Sequence, residues 1–312
     1  MKKFKFYIWA YIRSMRPALF LISGSVGILG IVLSGEPVTF LRVFSILSVV
    51  FIGWGVNQVI NDLLGLKEDR INAPHRPLLT GELPISLAWS FSLILFLFGA
   101  LTTFILNPLA LFLYVFVFLL NIIYEYAKGI PMIGNLVFAF LVPSCLYYAV
   151  ICMNGQADLG VIFSAKLAPI ALALYLINNS LCFFTYYKDY EGDKFANKKT
   201  LVVFLGPGRA KRLNYLFSLA PFVIALPFVL RVWYQELSLM FFLLIIISFM
   251  IIQYASSLFC RIQTAAEQVV SLRWNFLGVV LFQLSFVALA TQSLAMILFL
   301  SAFLLFNLLY SW

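Results

Sequence analysis

Hydrophobic residues run through this chain in blocks of roughly 20, separated by short polar segments, without the strict alternation of a half-buried strand. A helix of that length, rising about 1.5 Å per residue, crosses about 30 Å of hydrocarbon. In lipid such a block must be helical, because each backbone N–H and C=O needs a partner within its own segment. The pattern predicts spans at about 17–34, 38–60, 85–106, 108–126, 131–152, 165–187, 213–233 and 237–258. The stretch from Trp274 to Trp312 carries no charge and is too long for one ordinary span. It is expected to hold two spans, or one span and an interfacial segment, for nine or ten in all.

Composition agrees with the pattern. Of the 312 residues 63% are hydrophobic and 11% charged, against roughly 25% charged in a soluble domain. The reading is an all-α polytopic membrane protein, a single integral-membrane domain over 1–312, with the lipid bilayer as its solvent. The basic start (Lys2, Lys3, Lys5, Arg13, Arg16) is not followed by a small-residue cleavage site, so Pro17–Leu33 is expected to stay as the first span. Cys145, Cys152, Cys182 and Cys260 lack paired metal-site spacing and read as inert thiols. His75 is the only histidine, which excludes a bis-histidine haem.

The net charge of +9 raises the question of nucleic acid, but the charges follow the topology instead. Of the 21 lysines and arginines, all except Arg42, Lys166 and Arg231 fall with the N-terminus and the loops after spans two, four, six and eight. By the positive-inside rule that side is cytoplasmic. No nucleic-acid partner is expected.

Two acidic segments lie on that side. The second span runs into Asn57, Asn61, Asp62, Gly65, Glu68, Asp69, Asn72 and Arg76-Pro77; the sixth runs into Lys188-Asp189-Tyr190-Glu191-Gly192-Asp193-Lys194. Asn61, Gly65 and Asp69 are four residues apart and share a helical face, with Asn57 one turn deeper, as do Asp189 and Asp193. Matching segments at matching helix ends suggest two pseudo-repeated four-helix halves around one cavity. Carboxylates in this arrangement suit Mg²⁺, which binds through a few carboxylates and the phosphates of a substrate. Arg76, Lys128, Lys188 and Lys194 are then available to clamp a diphosphate. Glu68, Glu82 and Glu191 taken singly read as solvated flanks. Asn178 and Asn179, inside the sixth span, either face the cavity or bond a neighbouring helix.

At these residues the sequence resembles the UbiA superfamily of intramembrane prenyltransferases. The likeness covers Arg16-Pro17, the first segment through Asn72 and Arg76-Pro77, Tyr124 to Lys128, and Asp189 to Asp193 with Thr200 and Gly206. The resemblance implies about nine helices in a ring around a central cavity capped by cytoplasmic loops. It also implies a prenyl diphosphate substrate held through Mg²⁺ at both acidic motifs. Asn61, Asp62 and Asp69 match the first motif and Asp189 and Asp193 the second; Arg76, Lys128 and Lys188 or Lys194 take the diphosphate contacts.

The sequence departs from the family pattern in two places. Gly65 stands where the first motif has its middle Asp, and Tyr186 stands upstream of Asp189 where many transferases carry another. The form with Gly65 resembles the terpene cyclase branch, in which the substrate's own double bonds attack the cation. The leading expectation is therefore a Mg²⁺-dependent terpene cyclase, a lyase acting on a farnesyl or geranylgeranyl diphosphate. The alternative is a prenyltransferase with an aromatic, quinone-precursor or glycerol-phosphate acceptor, with Asp62 or Glu68 compensating for Gly65 and with Asn57, Asn178 and Asn179 as acceptor contacts. A transporter is the third reading, disfavoured because every Asp and Glu lies in a loop or at a span end rather than mid-membrane.

Overall fold

A computed structural model describes residues 2–155, 160, 164–262 and 265–310. The ends of the expected domain, Met1 and residues 311–312, lie outside the described residues. In chain order the helices are α1 (Lys2–Ser14), α2 (Phe20–Leu33), α3 (Phe40–Leu64), α4 (Leu66–Asn72), α5 (Pro77–Thr80), α6 (Ile85–Leu106), α7 (Pro108–Ala127) and α8 (Ile133–Met153). They continue as α9 (Leu167–Lys188), α10 (Tyr190–Phe195), α11 (Leu201–Leu205), α12 (Pro207–Ala220), α13 (Leu226–Val232), α14 (Leu239–Arg261), α15 (Ala265–Ser285) and α16 (Gln292–Tyr310).

Among the described residues, nine helical stretches are long and apolar enough to cross a membrane. The tail resolves into one of them, Glu267–Leu289, followed by the shorter apolar helix Gln292–Leu308. That crossing starts earlier than the uncharged stretch suggested and takes in Arg273. The seventh begins at Pro207 rather than near 213, and Pro221–Ala225 forms a π-helical turn between α12 and α13. Pro221 and Pro227 lack the N–H that a regular α ladder requires, which accounts for the irregular turn.

Local chemistry sets the boundaries. Pro17 disfavours the α region for the residue before it, and α1 and α2 are separated there, with Arg16 in the left-handed region at φ 53°, ψ 66°. The Asn107 side chain caps α7 by accepting from the Leu109 N–H, with Pro108 in the first turn. Ser238 caps α14 in the same way.

Burial sorts the spans. Most of Glu267–Leu289 is buried inside the protein, and little of Ile85–Leu106 is. The first is a central helix and the second faces lipid along Leu93, Leu97 and Leu101. The main core joins α2, α8, α9, α14 and α15 through Val26, Leu146, Ile177, Ile252 and Phe282. Because lipid tails are as apolar as leucine, association depends on close packing and on hydrogen bonds between helices. Gly30 of α2 supplies the first: a Cβ there would lie 2.5 Å from the Leu146 carbonyl oxygen of α8. Ser25 to Gln283 at 2.5 Å, Thr103 with Tyr148 at 2.9 Å and Tyr11 with Ser92 at 2.9 Å supply the second.

Candidate active site

The two acidic segments are built alike. A long helix ends, one residue breaks the ladder, and a short helix follows: α3–Gly65–α4 and α9–Asp189–α10. The joints have nearly the same backbone, φ −100°, ψ 21° at Gly65 and φ −92°, ψ 8° at Asp189. Gly65 N–H donates to the Asn61 carbonyl at 2.8 Å, and Asp189 N–H to that of Thr185 at 3.1 Å. Asp69 N–H then reaches back to Gly65 O at 3.1 Å and Asp193 N–H to Asp189 O at 2.9 Å. Gly65 and Asp189 are thus counterparts, as are Asp69 and Asp193.

Asn72, at the end of α4, joins the segments. Its Nδ2 donates to the Asp189 carbonyl at 3.0 Å, and its Oδ1 accepts from Gly192 N–H at 2.9 Å. A Cβ on Gly192 would strike the Asn72 amide, so only glycine permits this approach.

Arginines clasp the first motif. Arg16 donates to Gln58 Oε1 at 2.8 Å and pairs with Asp62, while Arg76 spans Asp62, at 2.9 Å, and Asp69. Asp62 and Asp69 are both buried. Burial pushes the Asp69 carboxyl up to about 7 in spite of Arg76.

A second charge cluster lies beside Gly65. Lys128 Nζ is 3.1 Å from Glu68 Oε1 and 3.0 Å from Glu125 Oε1, and Lys198 pairs with the same two oxygens. Glu68 is 3% exposed, so it is not the solvated flank that its loop position suggested. Burial alone would raise its carboxyl, but Lys128 and Lys198 together lower it to about 2. A turn delivers Lys198: after α10, Asn197 is left-handed at φ 58°, Asn197 N–H bonds Lys194 O at 3.1 Å, and Lys198 N–H bonds Asp193 O at 2.9 Å. This is a Schellman end, for which Asn is the usual alternative to Gly.

The second motif has capacity to spare. Among the described residues, the buried Oδ1 atoms of Asp189 and Asp193 have no hydrogen-bond partner. Burial pushes the Asp193 carboxyl up to about 7 against the pull of Lys128. Carboxylate oxygens desolvated and unpaired in this way fit a hard divalent cation, which would restore their charged state.

An apolar cavity of about 820 Å³, counting its mouth, lies between α3, α7 and α8. Val49, Leu113 and Tyr148 line one end, and Asn57, Asn61 and Asn121 line the other. Asn61 and Asn121 exchange amide hydrogen bonds at 3.4 and 3.2 Å. The polar end therefore meets the charge cluster through Asn61, one turn before Gly65.

The structure thus gathers Asn57, Asn61, Asp62, Asp69, Arg76, Lys128, Asp189 and Asp193 at one end of the bundle. Lys188 and Lys194 are exposed, the latter with its ammonium 5.7 Å from the Tyr190 ring centre. Asn178 and Asn179 are buried in α9, where Asn178 Nδ2 bonds the Leu174 carbonyl at 2.7 Å, and Tyr186 packs with Tyr124 and Cys182. None of these three lines the cavity described. Glu125, Lys198 and Asn121 escaped the sequence reading. Glu125 and Asn121 lie in an apolar span, and Lys198 is one of several lysines in its loop. The signals available were Glu125 within Tyr124–Lys128 and the Asn before Lys198.

A model of the UbiA prenyltransferase family matches residues 20–277. The digeranylgeranylglyceryl phosphate synthase of Thermococcus kodakarensis is 31% identical over 212 residues, 67% of this chain and 74% of that protein. That of Pyrococcus abyssi is 28% identical over 211 residues, 67% and 73%. A solved digeranylgeranylglyceryl phosphate synthase structure has a TM-score of 0.65 at 22% identity, covering 93% of this chain and 99% of that one. A UbiA homologue from Archaeoglobus fulgidus bound to DMAPP and Mg²⁺ has a TM-score of 0.58 at 16% identity, covering 95% and 99%. The terpene cyclase and lyase expectation is overturned by the relatives, which are prenyl-transferring synthases. The structure explains why Gly65 misled: a Cβ there would lie 2.9 Å from Asn61 O, 3.1 Å from Glu68 Oε1 and 3.4 Å from Glu125 Oε1. The Asn61 carbonyl and two neighbouring carboxylates crowd the position, which gives glycine at 65 a packing reason separate from cyclisation.

Proposed function

The chain belongs to the UbiA prenyltransferase family, and from that premise we propose that it transfers a prenyl group, of the geranylgeranyl class, from its diphosphate to the hydroxyl of a glycerol-phosphate lipid acceptor. The observation that carries this reading is the likeness to digeranylgeranylglyceryl phosphate synthases over two thirds of the chain. The site chemistry supports it. An apolar cavity between α3, α7 and α8 has an amide-lined end beside a cluster of buried charges. The chain acts as one integral-membrane unit, with its N-terminus and both acidic segments on the cytoplasmic side, a reading supported by the distribution of lysine and arginine.

In this reading Asp189 and Asp193 would hold Mg²⁺, while Asp69, across the Asn72 bridge, stays paired with Arg76. When bound, the ion would supply charge to stabilise the departing diphosphate. Arg76 and Lys128 offer N–H donors to the same oxygens, and their burial strengthens each bond by excluding water. Arg16 and Asn72 orient Asp62 and the α10 backbone. The cavity walls hold the prenyl chain away from water, so the C1–O bond to diphosphate breaks where the acceptor oxygen replaces it, the hydroxyl proton leaving with the released diphosphate.

The test is acceptor dependence. Purified protein with geranylgeranyl diphosphate and Mg²⁺ is expected to release diphosphate only when geranylgeranylglyceryl phosphate is added, with the doubly prenylated ether as product by mass spectrometry. Release at the same rate without acceptor, or only with an aromatic acceptor, overturns it.

A further inference from the structure

Resting on that reading, we propose that this chain binds its diphosphate with one divalent ion, held by the second motif, and that the Lys198 ammonium, clamped by Glu68 and Glu125, takes the place of a metal ion at the first.

The argument starts from the counterpart positions. In the second half the joint residue is Asp189, whose buried Oδ1 has no partner among the described residues. In the first half the joint is Gly65, which contributes no ligand. The backbone does not demand glycine, since φ is −100°, within reach of any residue. Space is tight: a Cβ at 65 would lie 2.9 Å from the Asn61 carbonyl oxygen, and the Glu68 and Glu125 carboxylates stand beside it at 3.1 and 3.4 Å. Their carboxylates are not idle. Each Oε1 accepts from both Lys128 and Lys198, closing a ring of two ammonium groups and two carboxylate oxygens. The carboxylates that remain in the first motif, Asp62 and Asp69, are engaged by Arg16 and Arg76.

The two motifs therefore differ in what they offer a diphosphate. The first presents side-chain cations on carboxylate supports, and the second presents carboxylate oxygens without a hydrogen-bond partner among the described residues. An ammonium group delivers a positive charge and three donors to phosphate oxygens without needing a metal's ligand set. The left-handed Asn197 and the bond from Lys198 N–H to Asp193 O tie that ammonium to the second motif's own helix. Lys198 and Asp193 are thereby set to act on one substrate group.

The experiment counts metal ions and is independent of transfer. Mn²⁺, a paramagnetic stand-in for Mg²⁺, is titrated into the full-length protein in detergent with an unreactive prenyl thiolodiphosphate and no acceptor, followed by electron paramagnetic resonance. One bound Mn²⁺ per chain is expected; two coupled ions overturn the proposal. The triple variant Gly65→Asp/Glu68→Ala/Lys198→Ala, which removes the clamp and installs a carboxylate, is expected to bind two. Lys198→Met is expected to keep one Mn²⁺ while weakening the analogue by roughly 10-fold or more, the scale of a lost charge-assisted bond; unchanged affinity also overturns it. If transfer proves wrong in the acceptor assay, the ion count still stands or falls by itself.

Discussion

Asn72 grips Gly192 and Asp189 across the interface of the two acidic segments, donating 3.0 Å to one backbone and accepting 2.9 Å from the other. A side-chain amide used in both directions fixes the separation and the rotation of α4 against α10. The spacing of Asp69 from Asp189 and Asp193 follows from it. Asn72→Ala and Gly192→Ala are each expected to lower kcat/KM for prenyl transfer by roughly 10- to 100-fold, the scale of an ångström-size misplacement. Gel filtration is expected to show both variants still folded, since the spans do not depend on this bridge.

Arg76 reaches Asp62 and Asp69 at once, both through Nη1 at the tip of its guanidinium. Arg76→Lys keeps the charge but replaces the guanidinium tip by a differently placed, more strongly hydrated ammonium. A drop of roughly 10-fold or more in kcat/KM is expected, with Arg76→Ala lower still because two buried carboxylates then lose a partner. Equal activity of Arg76→Lys and wild type, measured as diphosphate release, argues against the clasp.

Val49 and Asn61 both line the cavity, and twelve residues of α3 separate them, or roughly 18 Å. If the prenyl chain lies along that length, Val49→Phe shortens the deep end. The variant is expected to lose roughly 10-fold or more in kcat/KM for the twenty-carbon diphosphate while changing little for the ten-carbon one, in keeping with the cost of one misplaced methylene or more. Competition between the two substrates reads the ratio directly.

Gly30 lets α2 meet α8, since a Cβ would sit 2.5 Å from Leu146 O and 2.7 Å from the Ala149 Cβ. Gly30→Val is expected to force the helices apart and destabilise the bundle by about 1–3 kcal/mol, the usual cost of overpacking. Thermal unfolding in detergent should show the loss. Gly208→Val, where a Cβ meets nothing within 4 Å, is the control expected to leave the bundle contacts alone.

Hydropathy alone determined that this is a multi-span helical membrane protein, because the need to cross hydrocarbon as a hydrogen-bonded helix is met within each segment. The spacing of Asn61, Asp62 and Asp69 and of Asp189 and Asp193 marked the two chemical segments for the same reason, since a helical turn is local. Asn72, Arg16 and the Tyr124–Lys128 window were legible through their likeness to a family. What Gly65 means was not. Beside it stand Glu68 and Glu125, the latter sixty residues away, and both pair with Lys198, more than a hundred and thirty away. Lys188, Lys194 and Lys198 look equivalent in sequence, and only the left-handed turn at Asn197 turns one of them inward. The pairing of buried charges is a property of distances between separate helices, and only the tertiary structure could decide it.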